Sequence, residues 1–176
     1  MRKFALVLTL FALAAHAEPP KPADDVERFL AERGLLDHVD QFRQRVSQKA
    51  SDLVVNAMGF LGVPYRRGGN TAESGFDCSG FVRAMFEQTV GLVLPRRARE
   101  QAEATQAIDR KDLQPGDLVF FNTMRQSYSH VGIYVGDNKF IHSPKPGERV
   151  RVEDMRQAYW ERRFNGARRV PAKPEN

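Results

Sequence analysis

Hydrophobic positions recur at helical spacing through the first half of the chain. In the second half they alternate or bunch into short runs. Val26, Phe29 and Leu30 share one helical face before Gly34, and Leu35, Val39, Phe42 and Val46 form a second stripe. Ser51 reads as the N-cap of a third helix, with Asp52 in its first turn and Leu53, Val54, Ala57, Met58 and Leu61 on its buried face. Gly62 and Pro64 end that helix. A glycine-rich loop from Tyr65 to Phe76 leads into a helix over Ser79 to Val90, where Phe81 with Met85 and Val82 with Phe86 are i, i+4 pairs and Gly91 is the stop. Beyond it the period changes. Asp117 to Phe121, His130 to Val135 and Lys139 to His142 are strand-like runs bounded by Pro115-Gly116 and Gly136-Asp137-Asn138. A last helix is predicted near Asp154 to Arg163, carrying Met155, Tyr159 and Trp160. Helices followed by a meandering antiparallel sheet make an α+β domain.

The first residues have a different role. Met1-Arg2-Lys3, the apolar stretch Phe4 to Ala15 and the small exit Ala15-His16-Ala17 have the form of a secretory leader cleaved after Ala17. No cysteine follows the apolar stretch, so the exported chain is not expected to be lipid-anchored. Residues 18–50 then form a proline-rich linker and a helical extension, residues 51–170 the main domain, and 171–176 a frayed tail. His38 falls on the extension and reads as a surface residue.

Composition narrows the function classes. The 176 residues are 41% hydrophobic and 28% charged, as in a globular protein. No apolar run approaches the ~20 residues of a membrane span, so no stable membrane insertion is expected. The formal charge is +5, and the leader takes Arg2 and Lys3 away with it. No basic run is interleaved with aromatics, which argues against nucleic acid as a partner and leaves an anionic envelope polymer as the easier one. Gly68-Gly69 is not a phosphate loop, because the Walker lysine and the preceding strand are missing. One cysteine forbids an internal disulfide or a multi-thiolate zinc site. No metal or cofactor is called for, and a monomer is expected.

That cysteine, Cys78, opens a predicted helix. Unpaired backbone N–H groups and the helix dipole favour a thiolate there. An exported chain rarely keeps a lone thiol without a use for it. Asp77 reads as the helix cap, beside Ser79 and Gly80. A thiol nucleophile needs a base, and outside the leader only His38, His130 and His142 are present. His130 begins one strand and His142 ends the next. Strand side chains alternate, so the turn between them decides whether the two rings meet. A two-residue turn at Asp137-Asn138 puts them on opposite faces. A three-residue turn, or a bulge with the same effect, puts them on one face, and this is the expected arrangement. His130 then accepts the thiol proton and His142 fixes its tautomer. A histidine in that third place leaves the imidazolium less stabilised than a carboxylate would. The Cys78 backbone N–H and the Tyr65 hydroxyl are the candidate oxyanion donors.

Five ordered segments carry a resemblance. They are Gly62-Val63-Pro64-Tyr65-Arg66-Arg67-Gly68-Gly69, Phe76-Asp77-Cys78-Ser79-Gly80-Phe81-Val82, Leu94-Pro95-Arg96, Gly116-Asp117-Leu118-Val119-Phe120-Phe121, and His130 to Gly136 with Phe140-Ile141-His142. Together they resemble the NlpC/P60 family of cell-wall cysteine peptidases, above all the short proteobacterial murein endopeptidases. The resemblance implies a papain-like α+β fold, a Cys78-His130-His142 triad and a site tyrosine at Tyr65. It also implies hydrolysis of amide bonds in peptidoglycan peptides. The D-alanyl–diaminopimelate cross-link is the favoured bond and the γ-D-glutamyl–diaminopimelate bond the next. A non-catalytic peptidoglycan-binding module on the same fold is the alternative. Peptidoglycan stems carry free carboxylates, so Arg66, Arg67, Arg96, Arg97 and Arg99 are candidates for bidentate substrate contacts. The expected location is the periplasm or the medium.

Overall fold

A computed structural model describes residues 35–123 and 126–171. The leader, the linker, the helix expected from Asp24 and nearly all of the tail lie outside these residues. Two compact units are distinguished, Met1–Gln41 and Phe42–Asn176, and the candidate site belongs to the second.

Helix α1 (Leu35–Met58) runs unbroken through the position expected to start a new helix. No Gly or Pro interrupts residues 35–58. The Ser51 hydroxyl does not cap anything. It donates to the Ser47 carbonyl one turn back (3.0 Å), while Gln48 Nε2 donates to Asp52 (2.9 Å). Both are mid-helix pairings, the first a common way for serine to sit inside a helix. Leu53 and Ala57 are buried, but Phe42, Val46 and Leu61 are exposed, and the helix stops at Met58, short of Gly62.

A two-stranded ladder of β1 (Asn70–Thr71) and β2 (Gly75–Phe76) precedes helix α2 (Cys78–Val90). Gly91 closes α2 in the left-handed conformation (φ 69°) and donates its N–H to the Glu87 carbonyl (3.2 Å). After α3 (Ala98–Glu103) comes the main sheet. Its strands are β3 (Gln106–Ile108), β4 (Leu118–Phe121), β5 (His130–Gly136), β6 (Lys139–His142), β7 (Arg151–Asp154) and β8 (Phe164–Arg169), ordered β3-β8-β4-β5-β6-β7. Every neighbouring pair is antiparallel. The helix expected over Asp154 to Arg163 is only α4 (Ala158–Glu161). Asp154 ends β7, and residues 164–169, not foreseen as a strand, fill the gap between β3 and β4.

The sheet separates two cores. One face carries Leu118, Phe120, Val131, Ile133 and Ile141 and shares a core with Phe81, Val82 and Met85 of α2 and Leu53 of α1. The other carries Val119, Phe121, Tyr134 and Phe140, closed by Met155 and Trp160. Both cores follow from the alternation of side chains along each strand.

Candidate active site

Cys78 is placed by the start of α2. Asp77 is the N-cap, its carboxylate accepting from the Gly80 N–H (2.8 Å) and, across the loop, from the Gly68 N–H (2.9 Å). Arg96 binds the same carboxylate through two nitrogens, at 2.9 and 2.6 Å, and also reaches the Ser79 hydroxyl (3.0 Å). Gly80 has no substitute here. A Cβ would lie 2.1 Å from the Gly69 carbonyl oxygen, so the loop and the helix tip touch backbone to backbone.

The two histidines are placed by the β5–β6 hairpin. Asp137 and Asn138 both have positive φ (52° and 57°), and Gly136 pairs with Lys139, which makes a two-residue turn. By itself this turn would separate the rings. The register shifts between Tyr134 and Gly136, so one extra residue is taken up on β5 and parity is restored. Tyr134 then faces Phe140. His130 and His142 fall on one side of the sheet, with His130 Nε2 2.7 Å from His142 Nδ1. Gly132 lies between them along the strand. A Cβ there would stand 2.6 Å from the Phe140 ring and 3.2 Å from the His142 Cβ, so the absence of a side chain lets His142 reach across.

Both rings sit in the aromatic core. Trp160 stacks on His130 with centroids 5.6 Å apart and 25° between planes, and it meets His142 edge-on at 5.2 Å. His142 is wholly buried. The two halves of the site are tied together by Ser143, whose buried hydroxyl donates to the Phe76 carbonyl (2.7 Å), two residues before Cys78.

Cys78, His130 and Tyr65 line one cleft of about 510 Å³. Its other walls include Thr123, Ser129, Lys145, Glu148, Arg151, Glu153 and Trp160. Of the arginines singled out from the sequence, Arg66, Arg67, Arg96, Arg97 and Arg99, none is among these lining residues. Arg66, Arg67, Arg97 and Arg99 are exposed, and Arg96 is committed to Asp77. Ser79 faces Arg96 and Gln101 instead of the cleft. Arg151 and Lys145 are the cations at the wall, each paired with Glu148 (2.7 and 3.4 Å). Glu153 and Trp160 are the residues that sequence reasoning missed. The alternation Arg151-Val152-Glu153 is a strand signal for Glu153, but nothing local in the sequence places it beside His142.

Electrostatics correct one expectation. The sequence suggests a thiolate at the helix tip. Cys78 keeps part of its surface in the cleft, yet protein atoms crowd the sulfur and Asp77 adds its negative charge. The thiol is pushed up to about 11, against the pull of the Val131, Ser79 and Cys78 backbone N–H groups. Burial and the neighbouring His142 hold His130 well below the ordinary histidine value, and burial lowers His142 too. Burial, then Cys78 and Asp77, raise the Tyr65 hydroxyl and keep it protonated. At neutral pH this is a neutral thiol and a neutral imidazole on the walls of one cleft, with an O–H donor also lining it. Such a set can transfer a proton during nucleophilic attack.

Known proteins are similar to this chain in sequence and fold. A profile of the NlpC/P60 family matches residues 62–169. Murein DD-endopeptidase MepH of Escherichia coli strain K12 is 43% identical over 127 residues, 70% of this chain and 47% of that protein. Gamma-DL-glutamyl hydrolase of Bacillus subtilis strain 168 is 39% identical over 118 residues, 66% of this chain and 28% of that protein. The chain therefore spans less than half the length of these two relatives. An NlpC/P60 family protein of Bacillus cereus, solved by crystallography, superimposes with a TM-score of 0.64 at 36% identity, covering 69% of this chain and 40% of that one. More than half of the chain falls within the family profile, and the solved relative has the same fold. The chain belongs to the NlpC/P60 family.

Proposed function

We propose that this protein is a cysteine endopeptidase of peptidoglycan peptides, with Cys78 as nucleophile, His130 as general base and acid, and His142 orienting His130. The observation that carries this reading is the single cleft holding Cys78 and His130, with His142 2.7 Å behind. The thiol sulfur attacks an amide carbonyl while its proton passes to His130. The resulting oxyanion takes hydrogen bonds from the Tyr65 hydroxyl and the Cys78 N–H. His130 returns the proton to the leaving amine, the C–N bond breaks and a thioester remains. Water activated by His130 then cleaves the thioester, releasing the acid and restoring the thiol.

The D-alanyl–diaminopimelate cross-link is the favoured bond, in line with the DD-endopeptidase relative. The γ-D-glutamyl–diaminopimelate bond is the second reading, supported by the name of the Bacillus subtilis relative. The chain is read as exported by cleavage after Ala17 and as acting on the wall. No described helix is long and apolar enough to cross a membrane. Digestion of purified sacculi followed by mass spectrometry of the muropeptides tests both the activity and the bond. Wild-type protein should convert cross-linked dimers to monomers, and Cys78→Ala should not. Equal digestion by that variant refutes the cysteine mechanism. Intact peptidoglycan pulled down by the wild type would instead favour a binding module.

A further inference from the structure

The hydrogen bond between the two rings holds a single proton, and neither ring alone decides which nitrogen carries it. The far side of His142 does decide. Its Nε2 is buried and has no hydrogen-bond partner among the described residues, and it stands 3.8 Å from Glu153 Oε1. Glu153 is not free to turn away. Arg151 Nε donates to one carboxylate oxygen and Trp160 Nε1 to the other. β7 pairs with β6 so that Phe140 faces Glu153 and His142 faces Arg151, which sets the carboxylate diagonally across from the His142 ring.

We propose that Glu153 is a positioning residue that fixes the tautomers of both histidines and so selects the nitrogen of His130 that acts as the base. The inference rests on the assignment of His130 as base made above. A bare lone pair on His142 Nε2 would face an anion inside a buried site, whereas an N–H there is attracted to it. His142 therefore carries its proton on Nε2 and accepts on Nδ1. His130 must then donate from Nε2, and its Nδ1 is left with the lone pair that takes the thiol proton. When that proton arrives, the positive charge is shared along the ring pair toward Glu153. The anion thought to be missing behind a His-His pair is present one ring further on.

Burial alone would raise the Glu153 carboxyl. His142, then Arg151 and Trp160, hold it down to about 2, so it is ionised throughout the working range. The other charges around His142 are Arg151, which opposes its protonation, and Glu148, which favours it.

The direct test is the nitrogen-15 spectrum of the histidine rings in the full-length protein at neutral pH. Both rings should show the Nε2–H tautomer. A wild-type spectrum with His142 protonated on Nδ1 overturns the proposal, whether or not any variant folds. Glu153→Gln should lower kcat by about 10–100-fold, with KM changed less than about twofold, and should mix the tautomers. Loss of the negative charge also lowers the ring pKa values, so the acid limb of kcat/KM should move to lower pH. Reduced kcat with unmoved tautomers and an unmoved acid limb means packing alone was lost, and overturns the proposal. Cys78→Ala separates the two readings. Activity in that variant removes the cysteine mechanism, whereas an inactive Cys78→Ala beside a fully active Glu153→Gln removes only this inference.

Discussion

The two halves of the proposed catalytic site, one carrying the nucleophile and one the base, are built in opposite ways. The nucleophile half is local: Asp77, Cys78, Ser79 and Gly80 are consecutive, and two residues from outside, Gly68 and Arg96, bind the cap. Its ties are polar and partly open to solvent, the Arg96 side chain being 34% exposed. The base half draws on three strands and a short helix, and its rings lie among Phe121, Phe140 and Trp160. A change at the cap of the nucleophile half should thus cost a little stability and little rate. The base half should lose rate first, because its geometry is a sum of packings that cannot adjust independently.

The harshest challenge to this contrast is His130→Ala. With no group to accept or return the proton, kcat/KM for muropeptide cleavage should fall by roughly 10²–10⁴-fold, while thermal unfolding keeps a single transition. Next is Gly132→Ala, a change of one methyl group. Its collision with Phe140 and His142 should displace the rings and cost about 10²-fold in kcat, together with about 1–3 kcal/mol of stability in denaturant titration. Retention of full rate would mean that the base half is more plastic than its packing implies.

Asp77→Ala probes the other side. Loss of the cap should cost about 1 kcal/mol of stability, and kcat/KM should fall less than about tenfold. The variant should also react faster with iodoacetamide at pH 8, since Asp77 is one of the groups raising the thiol. A collapse of activity as deep as that of His130→Ala would erase the distinction between the halves.

Two milder tests follow. His130 must be neutral to act as base and lies well below its ordinary 6.5, so kcat/KM should be flat from pH 7 to 9 and fall only on acidification below 6.5. A fall beginning above pH 7 would contradict a neutral resting pair. The smallest effects are expected from Arg66→Gln and Arg99→Gln. Neither residue lines the cleft, and each should leave kcat/KM within about twofold, against a larger rise in KM for Arg151→Gln at the wall.

Legibility in the sequence follows the same division. The cap at Asp77, the helix after Cys78 and its glycine stop are written in adjacent residues, and alternation along 130–136 and 139–142 assigns each side chain a face. The parity of the hairpin was harder. The positive φ values at Asp137 and Asn138 fit the tight turn, and it is the bulge beside Gly136 that restores the register. The meeting of Glu153 with His142 was not legible, because it exists only through the β6–β7 register. Ser51 misled for a related reason. Its hydroxyl serves equally as a cap or as a back-bond to the preceding turn, and only the unbroken stripe around it distinguishes the two.

The Ser143–Phe76 hydrogen bond joins partners 67 residues apart and clamps the ring-bearing strand to the segment that presents the sulfur. On the proposed mechanism a chain emerging from synthesis thus carries no competent fragment, since thiol and base come together only once both portions have docked. If Cys78 and His130 act as proposed, hydrolysis should be the last property the chain gains on refolding and the first it loses under denaturant.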